Sequence, residues 1–236
     1  MRGKYYRLYG SSLMTEIIGH KLRSLLNVLK GPMFEKNIPY MYVDTEGKVT
    51  VGVGHNLSAH RDVLQLPFIV ARFERHPVIG GDRGIPVNHN KGPGRPATTA
   101  EKQNDFDFLT KHKGLGHYAP EQLAKYTTLE LRQHDIDRLF EIDLIVAVRT
   151  ARQEFGASFD KFSVTRQAAL VDIAFNAGGF RTFQHSFVPA IKGQGLYAHK
   201  PEVERWNEAA RHSRRGKVQG LRNAQVAEWL NNGGQG

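Results

Sequence analysis

Six of the ten prolines fall between Ser58 and Thr127: Pro67, Pro77, Pro86, Pro93, Pro96 and Pro120. Each removes a backbone donor and fixes φ, so regular elements in that stretch must be short. Gly80-Gly81, Lys91-Gly92-Pro93-Gly94 and Gly114-Leu115-Gly116 add further breaks. The residues on either side keep long periodic patterns. The spacing therefore predicts three parts: an N-terminal helix and β-hairpin lobe over 1–57, a loop-rich inserted lobe over 58–127, and a helical lobe over 128–236. The insert is not a linker, because Phe68, Ile69, Val70, Phe106 and Phe108 need burial. Leu64–Arg75 and Thr99–Lys111 are its two candidate helices.

Before the insert, Ser11–Lys30 reads as a helix. Ile18, Leu22, Leu25 and Leu29 recur on one face, with Thr15 as N-cap. Gly31-Pro32 ends it. Tyr40–Asn56 reads as a β-hairpin: Tyr40-Met41-Tyr42-Val43, the turn Asp44-Thr45-Glu46-Gly47, then alternation from Lys48 to Val53. A four-residue turn ending in Gly suits a type I turn closed by a left-handed residue. Alternation puts Val49, Val51 and Val53 on one face and Thr50 on the other.

After the insert the chain reads as helical. Thr127 and Glu130 have capping-box spacing, and Ile136, Leu139, Phe140, Leu144 and Ala147 make one apolar stripe. Thr165–Asn176 is apolar on nearly every face, so it should be a central buried helix, ended by Gly178-Gly179. A helix follows around Phe183–Lys192. Pro201 starts the next, with Val203, Trp206, Ala209 and Ala210 facing inward. The last helix carries Leu221, Ala224, Trp229 and Leu230. The fold class is α+β, predominantly helical.

Charge narrows the partner. Lys and Arg outnumber Asp and Glu by 33 to 23, a net +10 that predicts a polyanionic partner. The absence of cysteine excludes disulfides and a cysteine nucleophile. No apolar run is long enough for a membrane span. The first thirty residues lack the unbroken apolar region of a secretory signal, being interrupted by Glu16, His20, Lys21 and Arg23.

Around the hairpin stand three side chains with complementary chemistry. Glu35 follows the apolar Met33-Phe34, where a carboxyl tends to stay protonated and suits a general acid. Asp44 opens a polar turn, where a carboxylate tends to stay ionised and can act on water. The Thr50 hydroxyl could hold that water. Together they are the equipment of inverting glycoside hydrolysis. Taken singly, each also has an ordinary structural explanation: a surface Glu, a turn-forming Asp, a β-prone Thr.

The run Phe34-Glu35-x6-Tyr42-x-Asp44-x2-Gly47-x2-Thr50-x-Gly52-x-Gly54-His55 resembles the phage-type lysozyme family, the muramidase endolysins of glycoside hydrolase family 24. The likeness resumes at Arg166–Leu170 and Ala174–Gly178. It continues through Phe183 with Ser186, Trp206–Ala210, and Gly220-Leu221 with Glu228. The resemblance implies a lysozyme-like fold and cleavage of the β-1,4 bond between N-acetylmuramic acid and N-acetylglucosamine. It implies Glu35 as general acid, Asp44 orienting or activating the water, Thr50 helping to hold it, and no cofactor or metal. Asn176 falls at a cleft-lining position, with helix C-cap as the equal alternative. Arg222 falls near a basic residue close to the acid. His55 reads as structural.

Three features depart from the family's pattern. Lys36 stands where Gly is usual after the acid. Ala224-Gln225 replace paired arginines, and 58–127 exceeds the corresponding stretch. Within that stretch His60, His76, His89, His112 and His117, with Asp82, Asp105 and Asp107, show no convincing metal-ligand spacing and read as scattered surface groups. The partner implied is bacterial peptidoglycan. An enzyme made in the cytoplasm without a signal peptide, acting in the periplasm or cell wall, implies a delivery partner: a holin for a phage endolysin, or a secretion apparatus or larger parent polypeptide for an antibacterial effector such as a type VI cargo. The competing readings are a nucleic-acid-binding module with Arg211, Arg214, Arg215 and Lys217 as its basic patch, and a lysozyme-like domain that binds glycan without cutting it. No nucleic-acid-binding signature supports the first, and intact Glu35, Asp44 and Thr50 argue against the second.

Overall fold

A computed structural model describes residues 18–31, 34–70, 73–76, 85–88, 94–216 and 220–233. In chain order the elements are α1 (His20–Leu26), β1 (Ile38–Val43), β2 (Val49–Gly52), β3 (His55–Asn56), α2 (His60–Leu64), β4 (Ile69–Val70), β5 (Phe73–His76), β6 (Ile85–Asn88), β7 (Arg95–Pro96), α3 (Thr99–Lys111), β8 (Leu129–Glu130), α4 (Gln133–Phe155), α5 (Val164–Ala177), α6 (Phe187–Lys192), α7 (Glu202–His212) and α8 (Gly220–Asn232). The class is mixed α+β, with helix predominating and a small antiparallel sheet. Among the described residues no helix is long and apolar enough to cross a membrane. The chain divides into two compact units, one holding 36–140 and the other holding the described residues up to Glu35 together with 141–233.

The first unit is built on an antiparallel sheet of order β3-β2-β1-β8-β4-β7, with β5 and β6 paired separately. The hairpin forms as its alternation predicts, with Tyr42 opposite Thr50 and Val43 opposite Val49. Its turn closes through Gly47 N–H to the Asp44 carbonyl at 2.9 Å and Asp44 N–H to the Lys48 carbonyl at 2.8 Å. Gly47 sits at φ 74°, the left-handed conformation the turn requires. Both faces of β2 are covered: Val49, Thr50 and Val51 are all buried. Helix α3 packs on β1 and on α2. Leu123 joins Ile38, Tyr40 and Tyr42 in one buried cluster.

The structure groups the chain differently from the three-part sequence reading. Strands β4 and β7 of the 58–127 stretch share a sheet with the hairpin, through β8. Leu64–Arg75 is not a helix: Ile69-Val70 pairs with both β7 and β8, and Phe73–His76 is strand β5. β-branched Ile69 and Val70 suit that pairing. Thr99–Lys111 does form a helix, with a capping box between Thr98 and Glu101. The predicted capping box of Thr127 and Glu130 does not form. Glu130 is paired with Tyr40 and Ile69, and the buried Thr127 donates its hydroxyl to Asp105 Oδ2 at 2.7 Å. Helix α4 starts later, at Gln133.

In the second unit, α5 packs against α1 and α8, and α7 packs against α6 and α8. Ser163 caps the start of α5, and Gly178 at φ 70° ends it. As predicted, α5 is central, buried from Ala168 to Ala174. The Ser11–Lys30 helix is described only from His20, and passes into a 3-10 turn at Asn27–Lys30; its 11–17 portion, with Thr15, lies outside the described residues. The expected inner face of α7 differs at Val203, which is 67% exposed. On α8, Leu221 is 67% exposed and Ala224 is exposed too, while the helix buries Arg222, Asn223, Val226, Trp229 and Leu230.

Candidate active site

Glu35 ends a tight turn. Phe34 N–H donates to the Gly31 carbonyl at 3.0 Å and Glu35 N–H to the Leu29 carbonyl at 3.1 Å. The Phe34 ring is buried and stacks on Trp229 with centroids 6.1 Å apart. That packing fixes where the next side chain leaves the backbone. The Glu35 carboxyl is 17% exposed. Its Oε1 accepts from Arg222 Nη1 at 2.6 Å and from Asn176 Nδ2 at 3.3 Å. Among the described residues Oε2 takes no hydrogen bond from the protein.

Arg222 is itself held. Its Nε and Nη2 donate to Asp172 Oδ1 at 3.0 and 2.6 Å, and its guanidinium lies 5.3 Å from the centre of the Phe34 ring. Asp172 is fully buried, and its other oxygen accepts from Arg215 Nη2 at 2.7 Å. Arg215 Nη1 reaches Asn176 Oδ1 at 3.4 Å. The result is a closed ring of Glu35, Arg222, Asp172, Arg215 and Asn176, with two cations and two carboxyls. A buried carboxylate between two guanidiniums is held by charge-assisted bonds that exclude other geometries. Burial works against the Arg222 charge, yet Asp172 and Glu35 outweigh it and hold its pKa above the ordinary value. Burial wins at Arg215, pulling it below its ordinary value against the attraction of Asp172.

Sequence reasoning placed Glu35, Asn176 and Arg222 in the site, and the structure brings them together. Asn176 is not the helix cap, a role that falls to Gly178. Reasoning from sequence missed Asp172 and misplaced Arg215. A lone Asp inside the apolar run Ala168–Phe175 was the available signal, since a carboxylate with no route to solvent must meet cations. Arg215, read as part of a surface basic patch, is only 8% exposed and faces Asp172. Within that patch Arg214 is exposed, Arg211 pairs with Glu208, and Lys217 lies outside the described residues.

Asp44 and Thr50 meet on the hairpin, in the other unit. Asp44 Oδ1 accepts the backbone N–H groups of Glu46 at 2.8 Å and Lys48 at 2.9 Å. Its Oδ2 lies 3.4 Å from Thr50 Oγ1, which is also 3.3 Å from the Lys48 carbonyl. One carboxyl oxygen is thus fixed by the turn, and the other lies beside the Thr50 hydroxyl. Lys36, immediately after Glu35, has φ 64° and is the non-glycine residue at positive φ among those described. The backbone at this position therefore takes the glycine conformation despite its lysine. The Lys36 ammonium is secured to Glu121 Oε1 at 2.7 Å.

Among the described residues, the histidines of the 58–127 stretch do not assemble. His60 pairs with Asp107 at 2.6 Å, and His112 Nδ1 lies 2.7 Å from the Phe108 carbonyl. Asp105 is engaged by Thr127 and Thr128. His76, His89 and Asp82 carry no described side chain. No group of His, Asp and Glu suited to hold a metal occurs among the described residues. No protein-family model matches the chain, and no curated protein matches it.

Proposed function

We propose that this protein is a peptidoglycan hydrolase of lysozyme-like fold, cutting the β-1,4 bond between N-acetylmuramic acid and N-acetylglucosamine. The observation that carries the reading is the seating of Glu35. A single carboxyl, fixed by Phe34 and bonded through Oε1 to Arg222 and Asn176, has an Oε2 that takes no hydrogen bond among the described residues. In this mechanism Oε2 protonates the leaving glycosidic oxygen as general acid. Asp44 Oδ2 takes a proton from the attacking water, which Thr50 Oγ1 helps to hold. Because Oδ1 is occupied by two amides, the carboxylate cannot rotate freely and its base oxygen stays aimed. By analogy with the family the sequence resembles, the expected outcome is inversion at the anomeric carbon.

The net +10 fits this substrate: murein and its attached polymers are polyanionic, and steering to a wall needs no sequence recognition. Burial of Arg215 removes one residue from the proposed nucleic-acid patch, which favours the wall over DNA. As a phage endolysin or a secreted antibacterial effector, the enzyme would reach the periplasm through a holin or a secretion apparatus. The test is digestion of purified murein in H2 18O, followed by mass spectrometry. Products that end in reducing N-acetylmuramic acid and carry the label support the reading; an unchanged sacculus, or unlabelled 1,6-anhydro ends, would refute it.

A further inference from the structure

The inserted stretch touches the hairpin at one informative place. After α3 the chain makes a 3-10 turn over Lys113–His117, tied by Leu115 N–H to the His112 carbonyl at 2.9 Å and Tyr118 N–H to the Leu115 carbonyl at 3.0 Å. Leu115 packs on the cluster of Ile38, Tyr40, Tyr42 and Leu123, which anchors the turn to β1. Gly116 is then pressed against the Asp44 backbone. A Cβ there would stand 2.2 Å from the Asp44 carbonyl oxygen and 3.1 Å from its carbon. That oxygen is the one that accepts the Gly47 N–H and closes the hairpin turn. From the other side, a Cβ on Gly47 would lie 3.5 Å from Lys113 Cβ and 3.6 Å from its Cδ. The contact at Gly47 is ordinary van der Waals packing, so it is Gly116 that lets the two turns approach this closely. The close contact is with backbone, so no side chain can swing aside to relieve it.

We propose that the Lys113–His117 turn is a brace that positions Asp44, and that Gly116 is the residue through which it acts. The insert then has a definite task. Asp44 Oδ1 is aimed only as well as the Glu46 and Lys48 amides are aimed, and those amides belong to the turn that Gly116 backs. Gly116 is a positioning residue that touches no substrate. Its effect on catalysis rests on the role proposed above for Asp44, whereas its effect on turn geometry does not.

The matched comparison is Gly116→Ala against Gly114→Ala, because a Cβ at Gly114 meets nothing within 4 Å. Both variants carry the same change in backbone propensity. Gly116→Ala should lower kcat on soluble murein fragments by about tenfold to a hundredfold with KM changed much less, the signature of a misplaced catalytic group. Gly114→Ala should match wild type. Independently of activity, amide NMR should show the Glu46 and Lys48 resonances displaced in Gly116→Ala and unmoved in Gly114→Ala. Unmoved amides in a folded Gly116→Ala protein, or equal effects in both variants, would overturn the brace. If Gly116→Ala does not fold, Leu115→Ala decides, since it loosens the anchor without a clash: displaced Glu46 and Lys48 amides support the brace, unmoved ones overturn it. A wild-type protein inert on murein would sink the enzymatic reading and leave the amide test standing.

Discussion

Arg222 donates to Glu35 Oε1 at 2.6 Å with one arm of its guanidinium while the rest of the fork grips Asp172 at 3.0 and 2.6 Å. The carboxyl is oriented by a group that is itself oriented. A lysine cannot reproduce this geometry, because its compact ammonium lacks the planar fork that reaches both carboxyls at once. Arg222→Lys should therefore lower kcat on murein by about a hundredfold, as for a displaced catalytic group, with a smaller change in KM. Steady-state kinetics on the purified variant check this.

Asp172 is fully buried between two guanidiniums that are 4% and 7% exposed. Removing one partner of a buried ion pair typically costs about 3–5 kcal/mol; here Arg215 would stay buried without its carboxylate, and Arg222 would keep only Glu35. Asp172→Ala should show a loss of that order in urea denaturation followed by tryptophan fluorescence. Trp229 lies on α8 beside Phe34 and reports the same region.

Two carboxyls of the first unit give pH dependences of opposite sign. Burial pushes the Asp105 carboxyl above its ordinary value of 3.8, against hydrogen bonds from Thr127 and Thr128. A raised acid binds its proton more tightly in the folded state, so its contribution to stability is complete below 3.8 and is lost as pH rises through the folded value. The stability of wild type relative to Asp105→Asn should fall as pH rises from acid towards neutrality. Glu101 is the reverse case: Arg95, then the Thr98 N–H, hold it down at about 2. Its contribution is present above 4.5 and fades as pH falls towards about 2. Glu101→Gln should destabilise at neutral pH and be silent in strong acid. Thermal denaturation across a pH series reads both.

Lys36 at φ 64° holds a conformation that disfavours an L-residue by about 1–2 kcal/mol. Its exposed ion pair with Glu121 returns at most about 1 kcal/mol. Lys36→Gly should leave stability within about 1 kcal/mol of wild type and activity intact. Lys36→Val, β-branched and least tolerant of positive φ, should destabilise clearly. Melting temperatures of the two variants compare them directly.

What was legible in the sequence was what local chemistry decides. The Asp44–Gly47 turn, the alternation around Thr50 and the glycine stop after Ala177 are set by neighbours in the chain, and they formed as expected. Thr127 and Glu130 show the opposite case. Their spacing equals that of Thr98 and Glu101, yet only the latter pair caps a helix, because Leu129-Glu130 finds strand partners in Tyr40 and Ile69 that lie far away in sequence. Helix α8 is a related case: Arg222 is buried against Asp172, fifty residues away in sequence, while the apolar Leu221 stands in solvent. Glu35 and Arg222 are 187 residues apart, and Asp172 joins them only in three dimensions.

The central claim is that the Glu35 carboxyl is the acid that cuts the glycan. Release of soluble muropeptides from purified sacculi by wild type and by Glu35→Gln, each checked for the same circular dichroism spectrum, tests it most directly. The account predicts release by wild type and a loss of about a thousandfold in the variant, within the roughly 10²–10⁴-fold span of a typical acid–base group. A folded Glu35→Gln protein that solubilises murein at the wild-type rate would contradict it.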